Sequence, residues 1–466
     1  MTYILRIFQD RSFIKKTFAL TVPVTLQNLL NNLLNLIDSL LIVRLGETSV
    51  AAVGLANRIF FVFSLLMFGV CSGSGILASQ YYGKREMPNI KRVLRISLLI
   101  GIAGSLIFAI PGIFFPRLVM RIFTPNSEMI GIGAKYLVII AISYPITACT
   151  NSYVAVLRSM NYVKLPMIIT TLAIAVNTFL NFGLIFGMFG LPKLGVAGAA
   201  LATVIARILE LSLLIMITRF SKPGDDGVGD FIHTHYDKEK EKDTPFIHKS
   251  FLNKYIHTAS PVIVNEFMWG LGITMYSLVY GRMEELETAA ITMAGTLEQL
   301  IMVFFFGICN AAAVILGNEL GADELENARE HAQNFMILQF LLSIIGGVLT
   351  FLLRNVITSI FPVSQPVDYY IKMCITVLAA YMPAKALNTL LIVAVLRCGG
   401  DTKAALFLDV SGVWLIGIPM AVLGGLVFHF PIYIVYGMVM FEEIYKVIFG
   451  YLRYRKRKWL KNIVTQ

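Results

Sequence analysis

Residues 17–43 read TFALTVPVTLQNLLNNLLNLIDSLLIV. The stretch is apolar enough and long enough to cross a bilayer as a helix, which takes about 20 residues. Within it Gln27, Asn28, Asn31, Asn32, Asn35, Asp38 and Ser39 recur at steps of three and four. On a helix that spacing draws a single polar stripe. A carboxylate at membrane depth costs several kcal/mol, so it faces a protein interior or a watered cavity. A stripe of amides leading to Asp38 points to a hydrated path, and so to transport.

The rest of the chain agrees. Of its 466 residues 57% are hydrophobic and 14% charged, with mean hydropathy +0.74. Soluble domains carry about 25% charged residues. The fold class is therefore an all-α polytopic membrane protein, and long unbroken apolar runs exclude an alternating β-barrel. Twelve segments qualify as spans: 17–43, 50–80, 93–116, 132–157, 165–190, 194–218, 255–281, 288–317, 332–353, 371–396, 404–427 and 432–452. The first is too long and too rich in amides for a cleaved signal peptide. Cys71, Cys149, Cys309, Cys374 and Cys398 lie in or beside apolar runs, show no metal spacing and read as small apolar residues.

The formal net charge is +11. Basic residues gather at the N-terminus (Arg6, Arg11, Lys15, Lys16), in 84–95, in 219–254 and in the tail 453–461. With twelve spans these stretches share one side, which the positive-inside rule makes the cytoplasm. Both termini are expected there, in a cell inner membrane. Position thus explains the charge without nucleic acid. The tail can also meet anionic lipid head groups.

A polar linker at 221–250 divides the chain into an N-terminal six-helix lobe, 1–220, and a C-terminal six-helix lobe, 251–466, with a basic tail. His233 and His235 lie in this linker near Asp225 and Asp226, and a polar linker explains them without a metal. The lobes repeat. At an offset of 238, Pro23 matches Pro261, Ala51-Ala52 matches Ala289-Ala290, Phe68-Gly69 matches Phe306-Gly307, Cys71 matches Cys309 and Gly83 matches Gly321. At 239, Leu157-Arg158 matches Leu396-Arg397. An even number of spans per lobe gives both the same orientation, with the working site between them.

No nucleotide-binding or hydrolase motif is present, so an ion gradient is the expected energy source. Intramembrane charges are few: Asp38, Arg58, Arg207, Glu210, Glu266, Glu298, Lys385 and Asp409, with Glu442 and Glu443 in the last span. Arg207 and Glu210, three apart, are expected to pair. Arg58 and Glu298 admit structural or functional roles, Asp409 reads as an anchor near the cytoplasmic end of its span, and Glu442 and Glu443 are unassigned. Asn177 and Asn181 share one helix face. By helical rise Asp38 lies about 9 Å below the outer end of its helix, and Asn181 about as deep. One carboxylate and two amide oxygens at one level can hold a small hard cation, with Thr203 adding a hydroxyl. They can equally hold a protonated carboxyl. Glu266, set opposite Asn28 by the repeat, and Lys385 each lie about 18 Å from a cytoplasmic end. They either pair or face different cavities. Pro23, Pro145, Pro261, Pro383 and Pro419 interrupt spans and permit bending.

The stretch 38–54, DSLLIVRLGETSVAAVG, resembles the first-span signature of multidrug and toxic compound extrusion (MATE) transporters. So do 157–166, LRSMNYVKLP, then Asn177 and 194–204, LGVAGAALATV, and in the second half 317–322, GNELGA, and 396–403, LRCGGDTK. The resemblance covers nearly the whole chain. It implies two six-helix lobes forming a V-shaped cavity, and export of organic, often cationic, compounds in exchange for Na+ or H+. Asp38 and Asn177 match the family's first-lobe cation site, with Thr203 as a further donor. Asn181 stands where many members carry Asp, which weakens the site for Na+ or shifts it toward protons. Glu266 matches the second-lobe carboxylate. The span-ten aspartate of some members is absent, with Ala386 near its place and Lys385 and Asn388 adjacent.

The expected protein is a monomeric secondary efflux transporter. Its partners are small organic substrates and the bilayer. It is no enzyme and needs no cofactor beyond the coupling ion, H+ or Na+, with Na+ at Asp38 as the one metal admitted. A lipid-linked oligosaccharide flippase of the same superfamily would need a broad basic cavity, whereas the basic residues here sit mostly at span ends. A membrane-embedded transferase would need clusters of His, Asp or Glu, and only six histidines exist.

Overall fold

Asp10 starts the first helix by capping it: its Oδ1 accepts the Phe13 backbone N–H at 3.0 Å. In a computed structural model of the chain, residues 10–220, 249–359 and 363–465 are described. The expected linker, with His233, His235, Asp225 and Asp226, falls outside them except for its last two residues, and so does Arg6.

The described residues are helical. In order come α1 (Arg11–Val43), α2 (Glu47–Gly83), α3 (Met87–Phe114), the short α4 (Pro116–Arg121), α5 (Ser127–Ile140), α6 (Ser143–Ser159), α7 (Lys164–Phe186) and α8 (Val196–Phe220). Then follow α9 (Lys249–Tyr280), α10 (Glu285–Gly321), α11 (Leu325–Ser359) and α12 (Gln365–Thr389), the last continued by a π-helical turn at Leu390–Leu396. α13 (Thr402–Ser411), a π turn (Gly412–Gly417), α14 (Ile418–Val422) and a second π turn (Leu423–Val427) form one irregular span around Pro419. α15 (Ile432–Val439) and α16 (Phe441–Arg455) close the chain.

Ten of these spans are long and apolar enough to cross a membrane, and α5 with α6, bent by 46°, makes an eleventh. Pro145 lies just past that bend. The segment expected as the twelfth span is the broken pair α15–α16, whose second helix buries Glu442, Glu443 and Lys446. On α1, Leu26, Leu29, Leu33, Leu36 and Leu40 are exposed at helical spacing. Such a stripe suits lipid.

By contacts the described chain forms two units, an N-terminal one (Leu26–Ile263) and a C-terminal one (Met1–Thr25 with Val264–Gln466). The sequence reading divides the lobes at the linker. By contacts, the first half of α1 belongs with the C-terminal helices and the first half of α9 with the N-terminal ones. Both changes come two residues after a proline, Pro23 or Pro261. In the C-terminal unit Phe13 stacks on His331 at 4.8 Å and meets Phe335 edge-on at 4.9 Å. In the N-terminal unit the Tyr255 and Ser74 hydroxyls lie 2.7 Å apart, and α2 meets α9 so closely that a Cβ on Gly69 would fall 2.7 Å from Ile263 Cα. Within the C-terminal unit a Cβ on Gly307 would likewise crowd Thr25, at its side-chain hydroxyl.

Apolar packing fixes each unit. Phe63, Met67, Leu137, Ile140 and Tyr144 centre the N-terminal core, with Phe63 stacked on Tyr144 at 5.2 Å. Cys374, Leu378, Met382, Phe305 and Tyr436 centre one core of the C-terminal unit. All five cysteines are free thiols.

The basic tail does more than carry charge. Trp459 is buried against Tyr454. Arg453 grips Asp401 through two bonds, 2.7 and 2.9 Å, and Asn462 donates to Gly321 O and Asp323 Oδ1. Arg455, Lys456, Arg457 and Lys458 remain exposed between these anchors.

Candidate functional site

α7 ends at Gly187, whose φ of +78° is a left-handed conformation that glycine adopts without strain. One and a half turns before that stop, Asn181 points at α1. Its Nδ2 donates to Asp38 Oδ1 at 2.6 Å and to Asn177 Oδ1 at 2.9 Å. Asn177 Nδ2 donates in turn to Thr203 Oγ1 on α8 at 3.3 Å, and that hydroxyl reaches Ala199 O. The structure therefore brings Asp38, Asn177, Asn181 and Thr203 into one hydrogen-bonded row. Asn177 and Asn181 are buried and Asp38 is half-buried. Asn181 Oδ1 is buried with no hydrogen-bond partner. A buried acceptor left open beside a carboxylate is costly unless something positive or protic arrives.

The polar face of α1 divides. Asn28, Asn31 and Asn32 are half-buried and Asn35 is exposed. Gln27 is buried in a different chain of bonds. Arg158 Nη2 donates to its Oε1 at 2.6 Å, and its Nε2 donates to Thr170 Oγ1 at 2.8 Å. Thr170 donates to Glu210 Oε1 at 2.7 Å, and Arg207 holds Glu210 Oε2 at 2.7 Å. The expected Arg207–Glu210 pair thus forms and extends across four helices. Arg58 is exposed on α2.

In the C-terminal unit Glu266 pairs with Arg397 at 2.8 Å, and Lys385 pairs with Glu298. Glu266 and Lys385 are therefore not partners. Equal depth along two helices says nothing of the direction each side chain takes around its axis. Arg397, read from sequence as a cytoplasmic end-marker, is buried. Asp409 does not anchor loops: it binds Lys446 at 2.9 Å and accepts from Asn265 at 2.9 Å, tying α13 to α16 and α9. Glu298 also accepts from Tyr436 at 2.7 Å. Asn388 Nδ2 donates to Glu443 at 2.6 Å, and Tyr276 donates to Glu442 at 2.7 Å.

The two units use one plan. Arg158–Gln27 and Arg397–Glu266 are each separated by 131 residues and are related by an offset of 239. The structural counterpart of Glu266 is therefore Gln27, not Asn28. The register is 238 at Thr25 and Ile263, which meet Gly307 and Gly69, and 239 from Gln27 onward. The same 239 relates Thr170 to Asp409 and Arg207 to Lys446. Sequence reasoning missed Arg158 and Lys446, although the repeat at Leu157-Arg158 carried the signal.

A family model described as MatE matches residues 23–183 and 261–423. An uncharacterized transporter of Bacillus subtilis, YisQ, is 25% identical over 456 residues, covering 97% of this chain and 96% of its own. The probable multidrug resistance protein YoeA of the same organism is 26% identical, covering 86% and 84%. Multidrug resistance protein PmpM of Pseudomonas aeruginosa is 22% identical, covering 88% and 83%. Among solved structures, a mutant of the Vibrio cholerae MATE transporter VcmN superposes with TM-score 0.86 at 17% identity over 100% of both chains. An outward-facing multidrug resistance MATE transporter of the MOP superfamily gives 0.82 at 17% identity over 95% of each. With the family model covering most of both halves, the chain belongs to the MatE family of multi-pass membrane transporters.

Proposed function

We propose that the chain is a secondary efflux transporter that exports organic, often cationic, compounds, driven by uptake of H+ or Na+ at Asp38. The observation that carries this reading is the row Asp38–Asn181–Asn177–Thr203 with its open acceptor, Asn181 Oδ1. The Asn181 amide nitrogen lies between two oxygens, those of Asp38 and Asn177. That suits an anionic Asp38 with no metal bound. A proton on Asp38 removes the charge and supplies a donor. A Na+ instead would need the Asn181 amide to rotate, so that its oxygen joins those of Asp38 and Asn177 around the ion.

Either event changes how strongly α1 is held against α7. An ion moves a two-state equilibrium only through its different affinity for the two states. Pro23 lies on the same helix, just before the residue where α1 changes unit, and leaves a carbonyl without its usual helical donor. Bending there is the expected readout. The substrate-binding surface, the inner-membrane location with both termini cytoplasmic, and a monomeric state complete the proposal.

The test is dye transport in proteoliposomes with pH and Na+ gradients imposed separately. Wild type should respond to at least one gradient, and Asp38→Asn to neither. Gradient-driven export that survives Asp38→Asn would refute the assignment. The gradient that drives wild type identifies the ion.

A further inference from the structure

We propose that Glu442 and Glu443 on α16 form a second proton-accepting site, inside the C-terminal unit and independent of Asp38. The inference rests on the reading of the chain as an ion-coupled exporter, and extends it.

The charges do not balance. Five carboxylates are gathered in the interior of this unit: Glu266, Glu298, Asp409, Glu442 and Glu443. Three cations meet them, Arg397, Lys385 and Lys446. Each cation has one close partner: Arg397 holds Glu266, Lys385 holds Glu298, and Lys446 holds Asp409. Glu442 and Glu443 are left over. Glu442 lies 3.6 Å from the already paired Lys446, and Glu443 lies 3.8 Å from the already paired Lys385. Their short bonds are to neutral donors, the Tyr276 hydroxyl and the Asn388 amide. Only 6% and 5% of these two glutamates is exposed. By helical rise Glu443 lies about 15 Å from Arg453, near mid-membrane. The pair shares lysines that other carboxylates hold more closely, so this cluster gathers two more carboxylates than cations, an arrangement that uptake of protons would relieve.

A second observation points the same way. Asn388 is 7% exposed, and its Oδ1 has no hydrogen-bond partner although its Nδ2 serves Glu443. An open acceptor beside a carboxylate calls for a hydroxyl hydrogen, which a protonated Glu443 supplies.

The repeat gives the position meaning. At the offset of 239 that relates the two networks, Thr203 of the Asp38 row corresponds to Glu442, and Asp38 corresponds to Ser277, the neighbour of Tyr276. The C-terminal unit thus carries its carboxylate on α16, where the N-terminal unit carries it on α1. The groups facing the pair are Tyr276 and Tyr280 from α9, Glu298 from α10, Lys385 from α12, Asp409 from α13, Tyr436 from α15 and Lys446 on α16 itself. Each carboxylate takes one proton from a hydronium ion, leaving water, and the pair passes from two negative charges to none.

The test is infrared titration of the reconstituted protein, wild type and variants, with 13C-labelled glutamate. Wild type should show a protonated-carboxyl C=O band that shifts with the label and grows as pH falls. The band should keep its amplitude in Asp38→Asn and lose the share of two carboxyls in Glu442→Gln/Glu443→Gln, over the background from the exposed glutamates. If the double variant does not fold, each single Gln variant should remove part of the amplitude. A band of full amplitude in the double variant or in both singles, or no glutamate band in wild type, overturns the proposal. Dye transport separates the two readings. A titrating glutamate band without gradient-driven export leaves this site standing and removes the exporter, whereas export without the band does the reverse.

Discussion

Replacing Glu266 by Gln separates two roles that a buried carboxylate can have. The chain already contains the product of that change. In the N-terminal unit Arg158 donates to the amide oxygen of Gln27 at 2.6 Å, where in the C-terminal unit Arg397 donates to Glu266 at 2.8 Å. Glu266→Gln keeps the acceptor and removes the charge. Asp409, whose field also reaches Arg397, still offsets part of the guanidinium charge. A hydrogen bond to a charged group is worth about 1.5–3 kcal/mol and a neutral one about 1. The Gln variant keeps a charged donor and should lose about 1–2 kcal/mol. Glu266→Ala leaves a buried guanidinium without its acceptor and should lose about 3–5 kcal/mol. Unfolding by sodium dodecyl sulfate in mixed micelles measures both, and dye transport under a pH or Na+ gradient measures coupling. The Gln variant should be clearly more stable than the Ala variant and should remain gradient-driven. Equal destabilisation by Gln and Ala would show that the ion pair itself is needed and that the repeat is a poor guide. A stable Gln variant without gradient response would make Glu266 an ion carrier.

Three further outcomes follow from the geometry. Asn181→Asp places a second carboxyl within 2.6 Å of Asp38 and should make transport more responsive to Na+ relative to a pH gradient; an unchanged ion preference would argue against a cation held between these side chains. Gly69→Ala puts a Cβ 2.7 Å from Ile263 Cα and should cost about 1–3 kcal/mol by overpacking, while Gly54→Ala, with nothing within 4 Å, should stay within about 0.5 kcal/mol in the same melting experiment. Trp459→Ala removes the buried anchor of the tail, so trypsin should cut after Arg455 to Lys458 several times faster in the folded protein; an unchanged rate would mean that Arg453 and Asn462 hold the tail alone.

The fold was legible because span length and polar periodicity are local properties. The α1 stripe, the i,i+4 pair Asn177–Asn181 and the Arg207–Glu210 pair each follow from one helix, and the structure adds only that the helices meet. What the sequence did not yield depends on rotation about helix axes. Equal depth left Glu266 and Lys385 either paired or facing different cavities, and each has another partner, Glu266 with Arg397 131 residues away. Arg397 reads from sequence as a cytoplasmic end-marker, yet it is buried, as is Lys446. Arg158 carries no signal of a partner within its own helix, and the close partner of Lys446, Asp409, lies on another. The last span was counted as one helix. Its break at Met440 and its three buried charges show that protein, rather than lipid, surrounds much of it.

The repeat also bears on how such a molecule can vary its chemistry without changing its frame. Positions are duplicated at an offset of 239, but charges are not. Gln27 is answered by Glu266, Thr170 by Asp409, Arg207 by Lys446 and Thr203 by Glu442. Each position keeps hydrogen-bonding capacity; three of the four turn a neutral side chain into a carboxylate, while Arg207 and Lys446 are both cations. A donor–acceptor network accepts such exchanges when a neighbour changes in compensation, because an unmet buried charge costs far more than an altered hydrogen bond. In the N-terminal unit the exchanges leave the carboxyl of Asp38 facing amides. In the C-terminal unit they leave Glu442 and Glu443 bonded to a phenol and an amide, 3.6 and 3.8 Å from lysines that other carboxylates hold more closely. A carboxyl whose neighbours are neutral donors can gain and lose a proton without dismantling an ion pair. On the two proposals made above, it is the arrangement of neutral partners, more than the mere presence of carboxylates, that would mark which acids in this chain switch.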